Sequence, residues 1–139
     1  MNKEGKIWGE NILIFQNDNI QINQIYIKKG GRCSKHLHKN KNNLFFVQSG
    51  MLHIEKWCEN GVVDNTILTK QQQTIIPNMI YHRFTALENT EALEIYFMNI
   101  DNQDILRDSI GEIINEADLR IDEKIFDYDQ TGLHEHNMD

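Results

Sequence analysis

Over the first hundred residues the apolar positions come in short runs, several of them alternating with polar ones. Leu52 and Ile54 interleave with His53 and Glu55, and Ile20, Ile22, Ile25 and Ile27 punctuate Ile20–Ile27. A period of two is the signature of a strand with one buried face. Strands are predicted at 11–15, 20–27, 44–48, 51–57, 74–76, 80–84 and 92–100, runs rich in Ile, Phe, Tyr and Val. Turn chemistry separates them: Lys29-Gly30-Gly31, Gln48-Ser49-Gly50, and Asn60-Gly61, a two-residue hairpin signal. Pro77, the only proline, breaks one run from the next. Many short antiparallel strands imply an all-β sandwich or barrel.

Beyond Ile100 the period changes. Ile105/Leu106, Ser109/Ile110, Ile113/Ile114 and Ala117 recur every three to four residues, which predicts an amphipathic C-terminal α-helix over 101–118. Asp101 or Asp104 would cap it, and Gly111 weakens it by about 1 kcal/mol. An acidic tail or arm follows over 119–139, anchored by Ile121, Ile125, Phe126 and Tyr128. The predicted organisation is a β-barrel over 1–100, the helix packed on it, and the tail.

Charge sharpens this division. The formal net charge is −7; residues 1–100 carry 11 basic and 9 acidic side chains, residues 101–139 carry 3 and 12. The acidic end disfavours a nucleic-acid platform. Lys28–Lys41 holds six basic residues and no acid, a positive field suited to an anionic small ligand or simply a solvated turn. Two cysteines make no disulfide framework in 139 residues. The polar Met1–Glu10 shows no signal peptide, and no apolar run reaches the roughly 20 residues of a membrane span. A reducing cytoplasm is the expected compartment.

The candidate chemistry lies in the histidines. His36 and His38 share a face only if their segment is extended. With His82 they offer three imidazole nitrogens to one metal ion; the plainer reading is of ordinary surface or core histidines. His134-Glu135-His136 repeats the spacing in a polar tail and is read as a disordered end.

In full, the stretch runs Gly30, five residues, His36-Leu37-His38, four residues, Asn43, six residues, Gly50; Pro77, four residues and His82 follow. This resembles the two motifs of the cupin superfamily, with Asn43 where that family usually has glutamate and Met79 where it has glycine. The resemblance implies a small double-sheet antiparallel jelly-roll barrel holding one divalent ion (Zn, Mn, Ni or Fe) through His36, His38 and His82, with Asn43 as a fourth candidate. Within the superfamily, Cys33–His38, Phe45–Gly50, Thr74–Pro77, His82-Arg83-Phe84 and Leu93-Glu94-Ile95 are similar to the C-terminal domain of type II phosphomannose isomerases and to stand-alone polysaccharide-biosynthesis cupins.

That likeness implies a metal-binding cupin acting on or binding a phosphosugar or sugar nucleotide in carbohydrate or surface-polysaccharide metabolism, with mannose-6-phosphate isomerase-like chemistry as one form. Lys35, Lys39, Lys41 and Arg83 are its candidate phosphate-binding residues, and Glu94 is the candidate general base. His53 and Glu55 should face solvent. Two alternatives stand beside it: a non-catalytic sugar-binding module, and a three-histidine Fe(II) dioxygenase-type cupin. The expected partner is a phosphorylated sugar, not nucleic acid or membrane, and a homodimer through sheet edges is expected.

Overall fold

The computed structural model describes residues 2–98 and 106–119. Among these, nine strands follow in order: β1 (Asn2–Lys6), β2 (Gly9–Gln16), β3 (Ile20–Ile27), β4 (Asn42–Ser49), β5 (Leu52–Trp57), β6 (Val63–Leu68), β7 (Gln73–Ile76), β8 (Tyr81–Ala86) and β9 (Thr90–Phe97). Two antiparallel sheets result, ordered β1-β2-β3-β9-β4-β7 and β6-β5-β8. Each of the seven predicted runs contains a strand, the last from Thr90 to Phe97, with 99–100 outside the described residues. β1 and β6 were not anticipated: Asn2-Lys3-Glu4-Gly5-Lys6 carries no apolar period, and Val63–Leu68 is largely exposed.

Alternation sorts each strand into an inner and an outer row. Ile25 and Ile27 of β3, Phe45 and Val47 of β4, Leu52 and Ile54 of β5, Phe84 and Ala86 of β8, and Ala92 of β9 form the buried core. The two sheets meet there, Phe45 standing edge-on to Phe84 with ring centroids 5.9 Å apart. Each such side chain removed from water contributes roughly 1.5–3 kcal/mol.

Gly50 turns β4 into β5 at φ +94°, and a Cβ there would lie 2.3 Å from the carbonyl oxygen of Asn89. Glycine is required on both counts. At Asn60-Gly61 the hairpin is longer than the two residues predicted. Cys58 N–H donates to Val62 O and Gly61 N–H to Cys58 O, giving a five-residue connection from Cys58 to Val62.

The chain divides into two units, Met1–Ile100 and Asp101–Asp139. In the second, the expected α-helix is not found among the described residues. Leu106–Asn115 is irregular, and Glu116–Leu119 forms a single 3₁₀ turn. Leu106, Ile110 and Ile113 are almost wholly exposed. An amphipathic stripe stabilises a helix mainly through what it packs against, and Gly111 interrupts this one. The capping candidates Asp101 and Asp104, the tail over 120–139 and His134-Glu135-His136 lie outside the described residues. No described helix is long and apolar enough to cross a membrane.

Candidate metal centre

After β3 the chain turns at Lys28–Gly31 and runs antiparallel along β8. Gly30 N–H donates to Ala86 O, Cys33 N–H to Phe84 O, and Arg32 bridges Thr85. The pairing ends where His36 and His82 exchange both backbone hydrogen bonds, 3.1 and 2.9 Å. Directly opposed residues of an antiparallel pair project to one side. That is why the His36 and His82 rings lie with centroids 4.5 Å apart.

His38, two residues on, returns to the same side, 5.0 Å from His36 and 5.4 Å from His82 between ring centroids. Its carbonyl accepts the Met79 N–H at 2.7 Å, and the Asn78 amide donates to Lys39 O at 3.0 Å. The Pro77-Asn78-Met79 turn thus clamps the loop bearing His38. One nitrogen from each histidine falls within 4.8 Å of the other two.

The tautomers follow from the partners. His36 Nδ1 faces Ser34 O at 2.7 Å and His82 Nδ1 faces Ile80 O at 3.0 Å. A carbonyl oxygen can only accept, so both Nδ1 atoms carry the proton and both Nε2 atoms are left as lone-pair acceptors, that of His82 facing the Asn43 amide at 3.3 Å. Burial, joined by the charges of His36, Lys41 and His82, pushes the His38 imidazole down to about 4. Burial likewise lowers His82. Both are neutral near pH 7, the form that ligates. His38 Nε2 is buried without a hydrogen-bond partner. An orphaned ring nitrogen beside two further lone pairs is poor packing for a plain core but a donor set for an ion held at roughly 2.1 Å per nitrogen. The residues present fit a divalent metal.

Compared with known families, residues 10–129 match the cupin family. The chain is a cupin. No curated protein matches it. In fold it is similar to KdgF from Halomonas sp., at 13% identity and TM-score 0.62, covering 73% of this cupin and 90% of that chain. It is also similar to an RmlC-like cupin from Shewanella frigidimarina, at 17% identity and TM-score 0.60, covering 74% and 86%. A Bacillus subtilis oxalate decarboxylase structure concerned with that enzyme's Mn(II) centres matches at 15% identity and TM-score 0.64, over 75% of this cupin but 29% of that chain.

Beside the histidines, the cupin places Asn43 (β4) and Glu94 (β9) on inner rows. The Asn43 Nδ2 stands 3.3 Å from both His82 Nε2 and Glu94 Oε2, and its Oδ1 is buried without a partner. Burial raises the Glu94 carboxyl above its ordinary range, opposed by hydrogen bonding from Asn43 and Tyr96. A cavity of about 210 Å³ opens here, bounded by His36, Glu94, Tyr96, Asn11, Trp8 and Lys6 among others. Cys33 also reaches it, but accepts the Phe84 N–H at 3.2 Å and is pushed up by burial to about 11, so it stays a thiol.

The proposed cations are scattered. Lys35 Nζ lies 4.1 Å above the Trp57 ring and Lys41 Nζ 3.8 Å above that of Tyr96. Lys39 is exposed. Arg83 departs from expectation as a site residue: β8 alternation turns it to the outer face, where its guanidinium holds Glu55 at 2.9 Å. His53 shares that face, bonded to Asn65 at 2.9 Å. Tyr96, Asn11 and Asn23 went unnoticed in the sequence. Asn23 had a signal, since it continues the inner row of Ile25 and Ile27 and is 1% exposed.

Proposed function

We propose that this cupin binds one divalent metal ion through His36, His38 and His82 and, beside it, a small anionic carbohydrate-type ligand on which Glu94 performs proton transfer. The observation that carries this reading is the convergence of three imidazoles, two with Nδ1 protons committed to backbone carbonyls. When bound, the ion supplies Lewis-acid polarisation of a ligand oxygen. The chain supplies the rest. Glu94, whose carboxyl burial raises above its ordinary range, is the proton-transfer group the chain places beside the histidines. Asn43 orients it through Nδ2.

An aldose–ketose isomerisation needs such a group to move a proton between adjacent carbons, which keeps isomerase-like chemistry on a sugar derivative as the preferred form. Lys41, over the Tyr96 ring and lining the neighbouring cavity, adds positive charge near the site that favours an anion, the phosphosugar or sugar nucleotide of the family likeness among them. Asn43 in the carboxylate position favours a second reading, a sugar-binding module without turnover.

The test is elemental analysis of protein purified without chelators. About one equivalent of Zn, Mn or Ni is expected, lost in His36→Ala and retained in Glu94→Gln, with Glu94→Gln abolishing turnover but not ligand binding. Iron as the resident metal would favour a dioxygenase-type cupin. Unchanged metal content in His36→Ala would overturn the ligand assignment.

A further inference from the structure

The cavity beside His36 is chemically distinctive. His36, Glu94, Tyr96, Asn11, Trp8 and Lys6 are among the residues that line it. Asn11 Oδ1 is buried with no hydrogen-bond partner. Behind it Asn23, opposite Glu94 in the β3–β9 ladder, leaves Nδ2 unpartnered as well. A buried amide atom forfeits its hydration with no return unless something else supplies the partner. A hydroxyl, donor and acceptor at once, satisfies an amide oxygen; an ionised phosphate oxygen can only accept.

Charge narrows the choice further. Lys6 is the sole cation lining this cavity, and its ammonium is already 2.8 Å from Glu4. Arg83 is on the outer face with Glu55, and Lys35 lies over Trp57. Beyond the charge of an ion held by the histidines, the cavity therefore offers one already-paired lysine and no guanidinium fork, and it contains a carboxyl of its own. Those conditions admit a monoanion and disfavour a phosphate dianion. Trp8, fixed edge-on against Phe84 with centroids 5.1 Å apart, gives an apolar wall for C–H groups. The volume, about 210 Å³, equals that of roughly seven liquid waters and suits a chain of about four to six carbons with its oxygens.

From this, and resting on the metal-site reading above, we infer that the ligand is a short polyhydroxylated carboxylic acid, not a phosphate ester. Asn11 reads a hydroxyl, Trp8 covers the carbon chain and Lys6 balances the single charge at the rim.

The test is calorimetric titration of the metal-loaded full-length protein with D-gluconate and with 6-phospho-D-gluconate, metal content being measured in parallel. Gluconate should bind at least tenfold more tightly than its phosphorylated counterpart. Asn11→Leu should weaken gluconate at least tenfold with metal content unchanged. Lys6→Met, on the exposed edge strand β1, should weaken it severalfold and flatten its salt dependence, with the melting temperature measured alongside. Equal or tighter binding of 6-phosphogluconate would overturn the inference, as would absence of gluconate binding or indifference to both substitutions. A wild-type protein that takes up no metal would instead sink the metal-site reading, whichever acid binds.

Discussion

Met79 shows what the site demands of one residue. It adopts φ +68°, a left-handed conformation that a side chain occupies at a cost, and its N–H reaches the His38 carbonyl at 2.7 Å. The family motif has glycine here, and the geometry explains why: the turn that clamps the His38 loop needs positive φ whatever the residue. Met79→Gly should therefore stabilise the protein by about 1 kcal/mol, the relieved strain outweighing glycine's added freedom in the unfolded chain. A melting temperature several degrees higher, with metal affinity unchanged, is the expected result; a lower one would show that the exposed methionine side chain makes compensating contacts. Asn43 is the second informative residue. Asn43→Glu puts a carboxylate beside His82 and Glu94, whose Nε2 and Oε2 lie 3.3 Å from the present amide nitrogen. Without metal the two buried carboxyls repel, and melting should fall. With metal the new charge should tighten binding at least tenfold, about 1.4 kcal/mol. Unaltered metal affinity by competition with a chelating dye would place Asn43 outside the ion's reach.

At the scale of the element, one rule assembles the site: each inner row runs from a hydrophobic floor to a polar end. Ile27, Ile25 and Asn23 on β3, Val47, Phe45 and Asn43 on β4, Ala86, Phe84 and His82 on β8, and Ala92 and Glu94 on β9 all follow it. The phase of these rows is legible in the sequence, which is why the histidines and Glu94 could be singled out. Neighbourhood is not. That Glu94 sits between Asn23 and Phe45 depends on β9 inserting between β3 and β4, a pairing no local pattern encodes. The same phase rule decides against Arg83, one residue from His82 and hence on the other face. Arg83→Gln should leave ligand binding unchanged while altering acid stability. The guanidinium holds the Glu55 carboxyl below its ordinary 4.5. A depressed folded value means that the pair's contribution is complete above about pH 4.5 and disappears as pH falls through the folded value. Still reached by solvent at both side chains, it amounts to about 1 kcal/mol. Melting curves of wild type and Arg83→Gln should converge at low pH; a constant gap from pH 7 to 3 would show that the pair's charge is not what is lost.

For the whole molecule, the outer face of the six-stranded sheet poses the remaining question of assembly. Phe15, Ile22, Ile95, Leu44 and Ile75 are successive cross-strand partners, an apolar row spanning five strands without a charge. Beside it run Ile12, Gln24, Leu93, Phe46 and Gln73. The sheet's edges are poorer candidates for the expected homodimer. β1 is charged, with Lys3 paired to Glu10 and Lys6 to Glu4, and β7 is four residues long and closed by Pro77; both are devices that discourage edge pairing. Five strands at about 4.8 Å and these two rows at about 6.8 Å give roughly 330 Å² of flat sheet per copy, about 650 Å² for two copies, the size of a weak, transient contact. A reversible face-to-face dimer with micromolar dissociation is the corresponding expectation. Sedimentation velocity should show the weight-average mass rising with concentration over that range. Ile22→Lys, at the centre of the row and pointing away from the core, should hold the protein monomeric without lowering its metal content. A wild type that stays monomeric throughout, or an Ile22→Lys variant that still dimerises, would move the interface elsewhere or remove it.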